Sequence, residues 1–328
     1  MPVPPTPTQQ RVTEELLDRG GPRPEFPRDL GPRLRASLEA DLSPLAARIP
    51  EESLYIGKRV LHEVHQCEQH HLASEAAGFT WTAATARGAV AHKALELAVH
   101  SSPGLAPAEL VEGAIERLRE DEWGPAEFLS HASPLELAEL QAGATDVVTK
   151  FEDGFPPLRV RWRPRVESSL RVELCAGKII VQGKVDLALG QARGTEARVL
   201  LVDLKTGQPA AAHADDLRLY ALLETLRVGV PPFRLASYYL DSGTWHAEDV
   251  TEDVLAAAVR RVVGGVAKVV ELRFEGRAPS LAPGPTCRYC PAREVCDGAK
   301  VWAERRRRTD DGDDGEDREA SAEGDGEE

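Results

Sequence analysis

Apolar and polar positions recur with helical spacing in the first half of the chain and with strand spacing in much of the second half. The helical spacing predicts helices at 34–49, 53–73, 80–100, 106–122 and 125–152. Period-two alternation and short apolar runs predict strands at 160–163, 166–174, 178–189, 198–205 and 233–240. Two further helices are expected at 214–226 and 252–272. This order of elements predicts an α/β fold with a helical subdomain ahead of its strands.

The two ends of the chain differ in composition from its centre. Residues 1–50 are rich in proline, which predicts a largely flexible N-terminal arm. Residues 51–300 are expected to form one domain with a helical insert at about 80–155 and a cysteine cluster near its end. Residues 301–328 combine a basic helix end, Arg305–Arg308, with an acidic tail that we expect to be disordered.

The charge distribution leaves a nucleic-acid partner open. The formal net charge is −14, but residues 309–328 carry −10 of it, with eleven acidic residues against one arginine. The rest of the chain carries only −4, so its charge does not exclude binding to DNA.

Other classes of protein are disfavoured by what the sequence lacks. No apolar run approaches the roughly 20 residues that span a bilayer, and the N-terminus lacks the apolar segment of a signal peptide. We therefore expect a cytoplasmic protein without a membrane partner. No phosphate-binding loop of the G-x-x-x-x-G-K-[ST] type occurs, so no nucleotide-driven motor is encoded.

Two predicted strands carry the candidate chemistry. Asp203 and Lys205 lie two residues apart in RVLLVDLKTG, so they share one face of a strand while Leu204 points to the other. If this strand pairs with KIIVQGKVDLALG as a hairpin, Asp186 reaches the same surface. Two carboxylates beside a lysine suit a divalent cation and the hydrolysis of a phosphodiester. The alternative is an ordinary pair of surface strands, which carry aspartate and lysine without function.

The cysteines form a second candidate site. Of five cysteines, three follow the spacing C-x2-C-x5-C within PGPTCRYCPAREVCDG: Cys287, Cys290 and Cys296. In a cytosolic chain this spacing is more typical of a metal or iron–sulfur site than of disulfides. A fourth ligand would come from Cys67 or Cys175. Zinc and an iron–sulfur cluster both fit four thiolates.

The sequences G-K-V-D and V-D-L-K-T-G resemble the catalytic core of the PD-(D/E)XK nuclease superfamily, in its RecB-like exonuclease branch. One cysteine upstream of this core and three downstream resemble the iron–sulfur members, which include AddB-type nuclease subunits and CRISPR-associated adaptation exonucleases. The resemblance covers about 53–298 and implies a restriction-endonuclease-like core, a central mixed sheet flanked by helices. It also implies a [4Fe–4S] cluster that staples the ends of the domain, with Zn²⁺ as the alternative, on Cys67, Cys287, Cys290 and Cys296.

The resemblance also assigns roles to the candidate metal site. It implies that Asp186 and Asp203 bind Mg²⁺ or Mn²⁺ together with His92, in GAVAHKALE, and the backbone carbonyl of Leu204. Lys205 would then lie beside the attacking water and stabilise the charge that develops on the phosphate.

The helix after this site departs from the family pattern. Tyr220 matches the tyrosine of the family's Q-x-x-x-Y sequence and is a candidate catalytic residue, whereas Asp216 stands in place of the glutamine. A carboxylate there would repel phosphate unless it met the metal or Arg218. Glu167 and Glu173, on the strand ahead of the core, are weaker candidates for a further acid.

These features together predict a metal-dependent DNA exonuclease of repair, recombination or defence, acting on single strands or duplex ends, with a separate helicase or repair subunit as a partner. The alternative is a catalytically weak nucleic-acid-binding or assembly subunit that keeps the fold and the cluster. Asp216 and the low overall basicity favour that alternative. A third hypothesis is a structural protein stabilised by zinc, without a nucleic-acid role.

Overall fold

A computed structural model describes residues 4–17, 20, 22–100, 105–121 and 124–307. The acidic tail expected to be disordered lies outside the described residues. The chain divides into two compact units. We call them the sheet unit, Met1–Lys58 with Thr80–Val266, and the cysteine unit, Arg59–Phe79 with Ala267–Glu328. Each unit is built from two separate stretches of chain, a division that composition along the sequence does not reveal.

The sheet unit contains a mixed sheet of six strands. They are β1 (Leu54–Ile56), β2 (Arg165–Leu174), β3 (Ile179–Leu189), β4 (Leu200–Lys205), β5 (Arg234–Tyr239) and β6 (Thr244–Asp249). The order is β1-β3-β4-β5-β6, and β2 also pairs with β3. The pairs β1–β3 and β4–β5 are parallel, and the other pairs are antiparallel. This confirms the central mixed sheet.

Ten α-helices have bounds within the described residues. They are α1 (Pro7–Val12), α2 (Leu30–Ala46), α3 (Lys58–Gln66), α4 (Glu68–Ala77), α5 (Ala83–His100), α6 (Pro107–Arg119), α7 (Ala126–His131), α8 (Pro134–Gly154), α9 (Ala212–Val228) and α10 (Glu252–Phe274). A π-helical turn follows α1, a 3-10 turn covers Pro285–Tyr289, and further helix covers 297–307. None of the helices in the described part of the chain is long and apolar enough to cross a membrane.

The helical insert packs on one face of the sheet. Val90 and Ala94 of α5 and Val147 of α8 are fully buried in one apolar cluster with Leu187 of β3 and Val202 of β4. Burial of such side chains is the main favourable term in folding. It therefore fixes α5 against the strands that carry the candidate acids.

Within residues 1–50, where proline predicts a largely flexible arm, the described residues include helices that pack through apolar side chains. Thr6 caps α1 through a capping box with Gln9, and Pro7 occupies the first turn, where a missing N–H costs little. Val12 and Leu16 are fully buried, and leucines on one side of α2 are buried as well. The proline content suggested flexibility, but widely spaced apolar residues are enough to anchor these helices.

Several elements of the structure differ from the sequence-based expectations. The helix expected at 53–73 is instead β1, α3 and α4, with an extended Cys67 at the start of α4. The alternation at 160–163 forms a 3-10 turn rather than a strand. The edge strand β6 was not predicted, because its sequence TWHAED is mostly polar and exposed. Tertiary pairing, rather than local pattern, determines these elements.

Candidate metal centre and catalytic residues

The predicted hairpin brings Asp186 and Asp203 together. β3 and β4 pair antiparallel, with Leu187 opposite Val202, so the two aspartates lie one step further along both strands. Asp186 Oδ2 accepts a hydrogen bond of 2.7 Å from the Leu204 N–H. Both carboxylates are buried, and Asp203 is only 1% exposed.

His92 of α5 lies next to Asp186, and Glu167 of β2 joins them. His92 Nδ1 lies 3.4 Å from Asp186 Oδ1 and also 3.4 Å from Glu167 Oε1. The donor atoms of His92, Glu167 and Asp186 all lie within 4.8 Å of one another. Imidazole nitrogen and carboxylate oxygens suit Mn²⁺, and carboxylates suit Mg²⁺. These three residues therefore form a candidate metal centre.

Opposite charges hold this cluster together. Burial lowers the pKa of His92, but the carboxylates of Asp186 and Glu167 outweigh it and raise that pKa to about 10. Burial raises the pKa of Asp186, yet His92 and the Leu204 N–H lower it overall to about 2. The imidazolium thus occupies a place suited to a cation.

Glu167 is a member of this candidate metal centre to which its sequence pattern gave little weight. It is a non-glycine residue with φ of 49° inside β2, a left-handed conformation that costs on the order of 1–3 kcal/mol. Its carboxylate also contacts Lys184. Glu173, the other weak candidate, pairs with Arg171 at 2.9 Å and is exposed. Glu167 and Glu173 lie six residues apart in β2, so strict alternation would place them on the same face. The left-handed backbone at Glu167 breaks this alternation, and side-chain periodicity does not predict it.

Asp203 forms the second part of the site, with Lys205. Lys205 Nζ lies 2.6 Å from Asp203 Oδ2, whereas the buried Oδ1 accepts no hydrogen bond from any described residue. Burial and the nearby charge of Asp186 raise the pKa of Asp203 to about 6. A buried carboxylate oxygen without a donor is costly. A cation bound beside it would satisfy it, so the donor set fits a divalent metal.

Asp216 lies close to two lysines. Asp216 Oδ2 is 3.5 Å from Lys205 Nζ and 4.0 Å from Lys58 Nζ. Arg218, which the sequence offered as a partner, instead pairs with Glu248 at 2.8 Å and with Asp215 at 3.2 Å. The carboxylate of Asp216, which stands where the resemblance predicts glutamine, is therefore balanced by two lysines.

Tyr220 is close to these groups but deeply buried. It is 1% exposed, and its ring packs on Gly183, where an added Cβ would lie 2.5 Å from Tyr220 Cε1. Burial and the carboxylates of Asp203 and Asp216 raise the pKa of Tyr220. Lys58 Nζ lies 5.7 Å from the centre of the ring. The catalytic role of Tyr220 and the metal ligation by the Leu204 carbonyl stay predictions.

In the cysteine unit, three thiols lie near the buried Cys290. Burial raises the pKa of Cys290, and the thiols of Cys67, Cys287 and Cys296 are near enough to raise it further. All five cysteines are free. Cys175 is not among this group, since its neighbours are Ser43 and Glu39.

Hydrogen bonds fix the start of α4 next to Cys67. Glu68 is buried and accepts a hydrogen bond of 2.9 Å from Arg277 and one of 2.8 Å from the Ser280 N–H. Arg277 and the Ser280 N–H lower the pKa of Glu68 to about 2, against the effect of burial. These contacts tie Cys67 to the chain that leads to the other three cysteines.

Comparison with known proteins gives a family match. A model of the PD-(D/E)XK nuclease superfamily matches residues 59–297. No curated protein matches the chain. Among solved structures, a protein of Eubacterium rectale provisionally assigned as an exonuclease is 11% identical, with a TM-score of 0.44, and the match covers 81% of this chain and 90% of that one. The protein SSO0001 is 13% identical, with a TM-score of 0.33, and the match covers 81% of this chain and 94% of that one.

Proposed function

The chain belongs to the PD-(D/E)XK nuclease superfamily, and from that premise we propose that it is a Mg²⁺- or Mn²⁺-dependent nuclease that hydrolyses phosphodiester bonds in DNA. The observation that carries this proposal is the meeting of His92, Glu167 and Asp186 within 4.8 Å. Asp203 and Lys205, which form an ion pair, lie on β4, the strand that pairs with β3 and its Asp186.

The metal would be held by His92, Glu167, Asp186 and Asp203, with the Leu204 carbonyl as a further predicted ligand. When bound, Mg²⁺ or Mn²⁺ supplies Lewis-acid polarisation of a phosphate oxygen and lowers the pKa of a water molecule. The Leu204 N–H orients the Asp186 carboxylate through its 2.7 Å hydrogen bond.

Lys205 is the cationic side chain that would contact the phosphate at the metal centre. Its ammonium group is suited to stabilise negative charge that develops on the phosphate, or to orient the attacking water. Asp203 and Asp216 hold this group from two directions, at 2.6 and 3.5 Å. Asp216 therefore acts as a positioning residue for Lys205.

We further propose that Cys67, Cys287, Cys290 and Cys296 hold a [4Fe–4S] cluster. The support is the influence of the Cys67, Cys287 and Cys296 thiols on the pKa of the buried Cys290, together with the order of one upstream and three downstream cysteines. Such a cluster would join the two stretches of chain in the cysteine unit and restrict the unfolded state. Zinc on the same thiolates is the chemical alternative.

We extend this proposal to exonuclease action on single strands or duplex ends, in repair, recombination or defence. It also includes a cytoplasmic location and a helicase or repair subunit as partner. Its support is the resemblance to the RecB-like branch. Asp216 had favoured the alternative of a catalytically weak assembly subunit. Its contacts with Lys205 and Lys58 remove that argument.

The test is digestion of end-labelled single-stranded and duplex DNA with Mg²⁺, Mn²⁺ or EDTA. We expect metal-dependent cleavage by the wild type, loss of cleavage in Asp203→Asn and Lys205→Ala, and full activity in the control Glu173→Gln. Equal cleavage by all of these proteins would exclude the catalytic assignment. Labelled products that shorten stepwise from one end, rather than internal fragments, would support exonuclease action.

A further inference from the structure

A groove of about 1010 Å³ opens in the sheet unit where β3 ends and β4 begins. Its walls include Leu189, Gly190 and Leu200, and also an arginine-rich turn ahead of β2. The charged side chains that line it are five arginines and one glutamate: Arg23, Arg161, Arg163, Arg193, Arg198 and Glu196. The groove is thus positive in a chain whose net charge is negative.

Most of this positive charge is not neutralised. Arg161, Arg163 and Arg193 are exposed and form no ion pair with any residue between 4 and 307 that the structure describes. Arg198 pairs with Glu196 at 3.0 Å. Unpaired arginines that converge on one groove are suited to bind an anion with several phosphate groups.

An aromatic side chain is held among these arginines. Trp162 is half-buried, and the guanidinium groups of Arg159 and Arg161 lie 5.6 and 5.9 Å from its ring centre. The Gly190 N–H donates a 2.6 Å hydrogen bond to the Trp162 carbonyl. The backbone of Trp162 is therefore anchored at the groove, and its half-buried ring lies beside cationic side chains.

Position 190, whose N–H is bonded to the Trp162 carbonyl in the groove wall, requires glycine. Gly190 has φ of 100°, and an added Cβ would lie 2.1 Å from the Arg198 carbonyl oxygen. Arg163 also adopts a left-handed conformation, with φ of 49°. The backbone around the groove is thus constrained, and the arginines project from a defined surface.

The groove is joined to the candidate metal centre by two continuous segments. Arg163 precedes Glu167 by four residues, and Gly190 follows Asp186 by four residues along β3. At about 3.3 Å per residue, the second interval is on the order of 13 Å. A flexible polyanion with one phosphate at the metal centre could therefore reach the groove with a phosphate further along.

We propose that this groove binds single-stranded nucleic acid, with its arginines on phosphates and Trp162 stacked on a base. Phosphate contacts by arginine supply affinity, and exposed aromatic rings bind the unpaired bases that only single strands offer. As a substrate path, the inference rests on the proposed nuclease function. The binding itself is measurable without cleavage.

The test is fluorescence anisotropy of a labelled oligodeoxythymidylate in EDTA, over a series of salt concentrations. The variant R161Q/R193Q removes two of the unpaired arginines. If each contacts one phosphate, the slope of log affinity against log salt falls by about 1.4, which is about 25-fold in affinity at about 0.1 M salt.

A matched control is R28Q/R260Q. Arg28 and Arg260 are exposed, neither lines the groove, and neither pairs with another side chain in the described part of the unit. We expect this control, which has the same net charge as R161Q/R193Q, to keep the wild-type slope. An equal loss in both double variants, or no loss in either, would overturn the groove as the binding surface.

Trp162 tests the stacking contact. Trp162→Ala should weaken binding by about 5- to 140-fold, the range for one stacked base, and Trp162→Phe should retain most of the affinity. Because Trp162 also packs against the core, thermal melting must show that the variant is folded; R161Q/R193Q carries the test if it is not. Equal losses for single-stranded and duplex DNA in Trp162→Ala would overturn the single-strand assignment.

Wild-type binding without cleavage under Mn²⁺ would contradict the nuclease proposal but not the proposed binding of single strands in the groove.

Discussion

Asp216 Oδ2 lies 3.5 Å from Lys205 Nζ, so the residue that stands where the RecB-like resemblance predicts glutamine contacts the lysine on which the proposed chemistry depends. A carboxylate at this position holds an ammonium group more firmly than a neutral amide would. It also offsets part of the charge that Lys205 would offer to a phosphate. The departure is therefore compatible with catalysis, at the cost of a more tightly held lysine.

Removal of this carboxylate should change turnover. We expect Asp216→Ala to lower kcat on the order of tenfold with little change in KM, because a misplaced Lys205 affects the transition state more than binding. Asp216→Gln, which restores the family's residue, should retain activity. The control is Asp215→Ala, which removes a neighbouring acid that pairs with Arg218 and Arg261 instead. Similar losses in both alanine variants would contradict the positioning role.

Glu167 should be required for metal affinity. The variant Glu167→Gln removes one carboxylate from the group of three donors, so we expect Mn²⁺ to bind about 10- to 100-fold more weakly. Isothermal titration with Mn²⁺ measures this directly, without substrate. Glu173→Gln, on the same strand but paired with Arg171, should bind Mn²⁺ as the wild type does. Equal affinities for the two variants would remove Glu167 from the site.

Metal binding should be coupled to the proton on His92. The pKa of His92 is about 10, so the ring is protonated at neutral pH and must lose that proton to become a ligand. We therefore expect Mn²⁺ affinity to rise about tenfold per pH unit between about 7 and the pKa of His92, and then to level off. Titration in buffers of different ionisation enthalpy should show release of about one proton at pH 7.

The control for this coupling is His92→Gln. This variant should bind Mn²⁺ more weakly but lose the rise in affinity above neutral pH, since no other group of the centre with a shifted pKa titrates there. The pKa of Asp203, at about 6, affects binding only at lower pH. A pH dependence above 7 that persists in His92→Gln would assign the proton to a different group.

The sequence predicted much of this site because its chemistry lies on regular elements. Asp186, Asp203 and Lys205 follow strand periodicity, and the antiparallel pairing of their strands is confirmed. Glu167 was underrated because its role depends on a left-handed backbone position that side-chain periodicity does not encode. The Lys58 contact with Asp216 joins residues far apart in the chain, which local patterns cannot reveal.

The same limit explains the errors in the fold. The turn at Val160–Trp162 has the alternation of a strand, but its last carbonyl is bonded to Gly190 rather than to a neighbouring strand. The N-terminal arm has few apolar residues, yet Val12 and Leu16 are placed where they are fully buried. In both cases contacts with residues far away in the sequence determine the local structure, and composition alone does not predict those contacts.

Gly183 should be required by the ring of Tyr220. An added Cβ would lie 2.5 Å from Cε1 of this buried ring, so we expect Gly183→Ala to lower the free energy of unfolding by about 1–3 kcal/mol through overpacking. Gly207→Ala is the control, because nothing lies within 4 Å of its added Cβ. Chemical denaturation measures both. The double variant G183A/Y220L should recover part of the loss, and a Gly183→Ala protein as stable as the wild type would contradict the close packing.

Cys67 should be required for the proposed cluster, whereas Cys175 should not. Cys67 lies near Cys290 together with the other two cysteines of the cluster, while Cys175 contacts Ser43 and Glu39. Anaerobically purified wild type should therefore be brown and contain about four irons per chain. Cys67→Ser should lose the colour, the iron and part of its thermal stability, because the cluster no longer restricts the unfolded chain. Cys175→Ser should keep all three, so an equal loss of iron in both variants would contradict the ligand assignment. Zinc in place of iron, bound by the wild type and absent from Cys67→Ser, would keep the four ligands and replace the cluster by a structural zinc site.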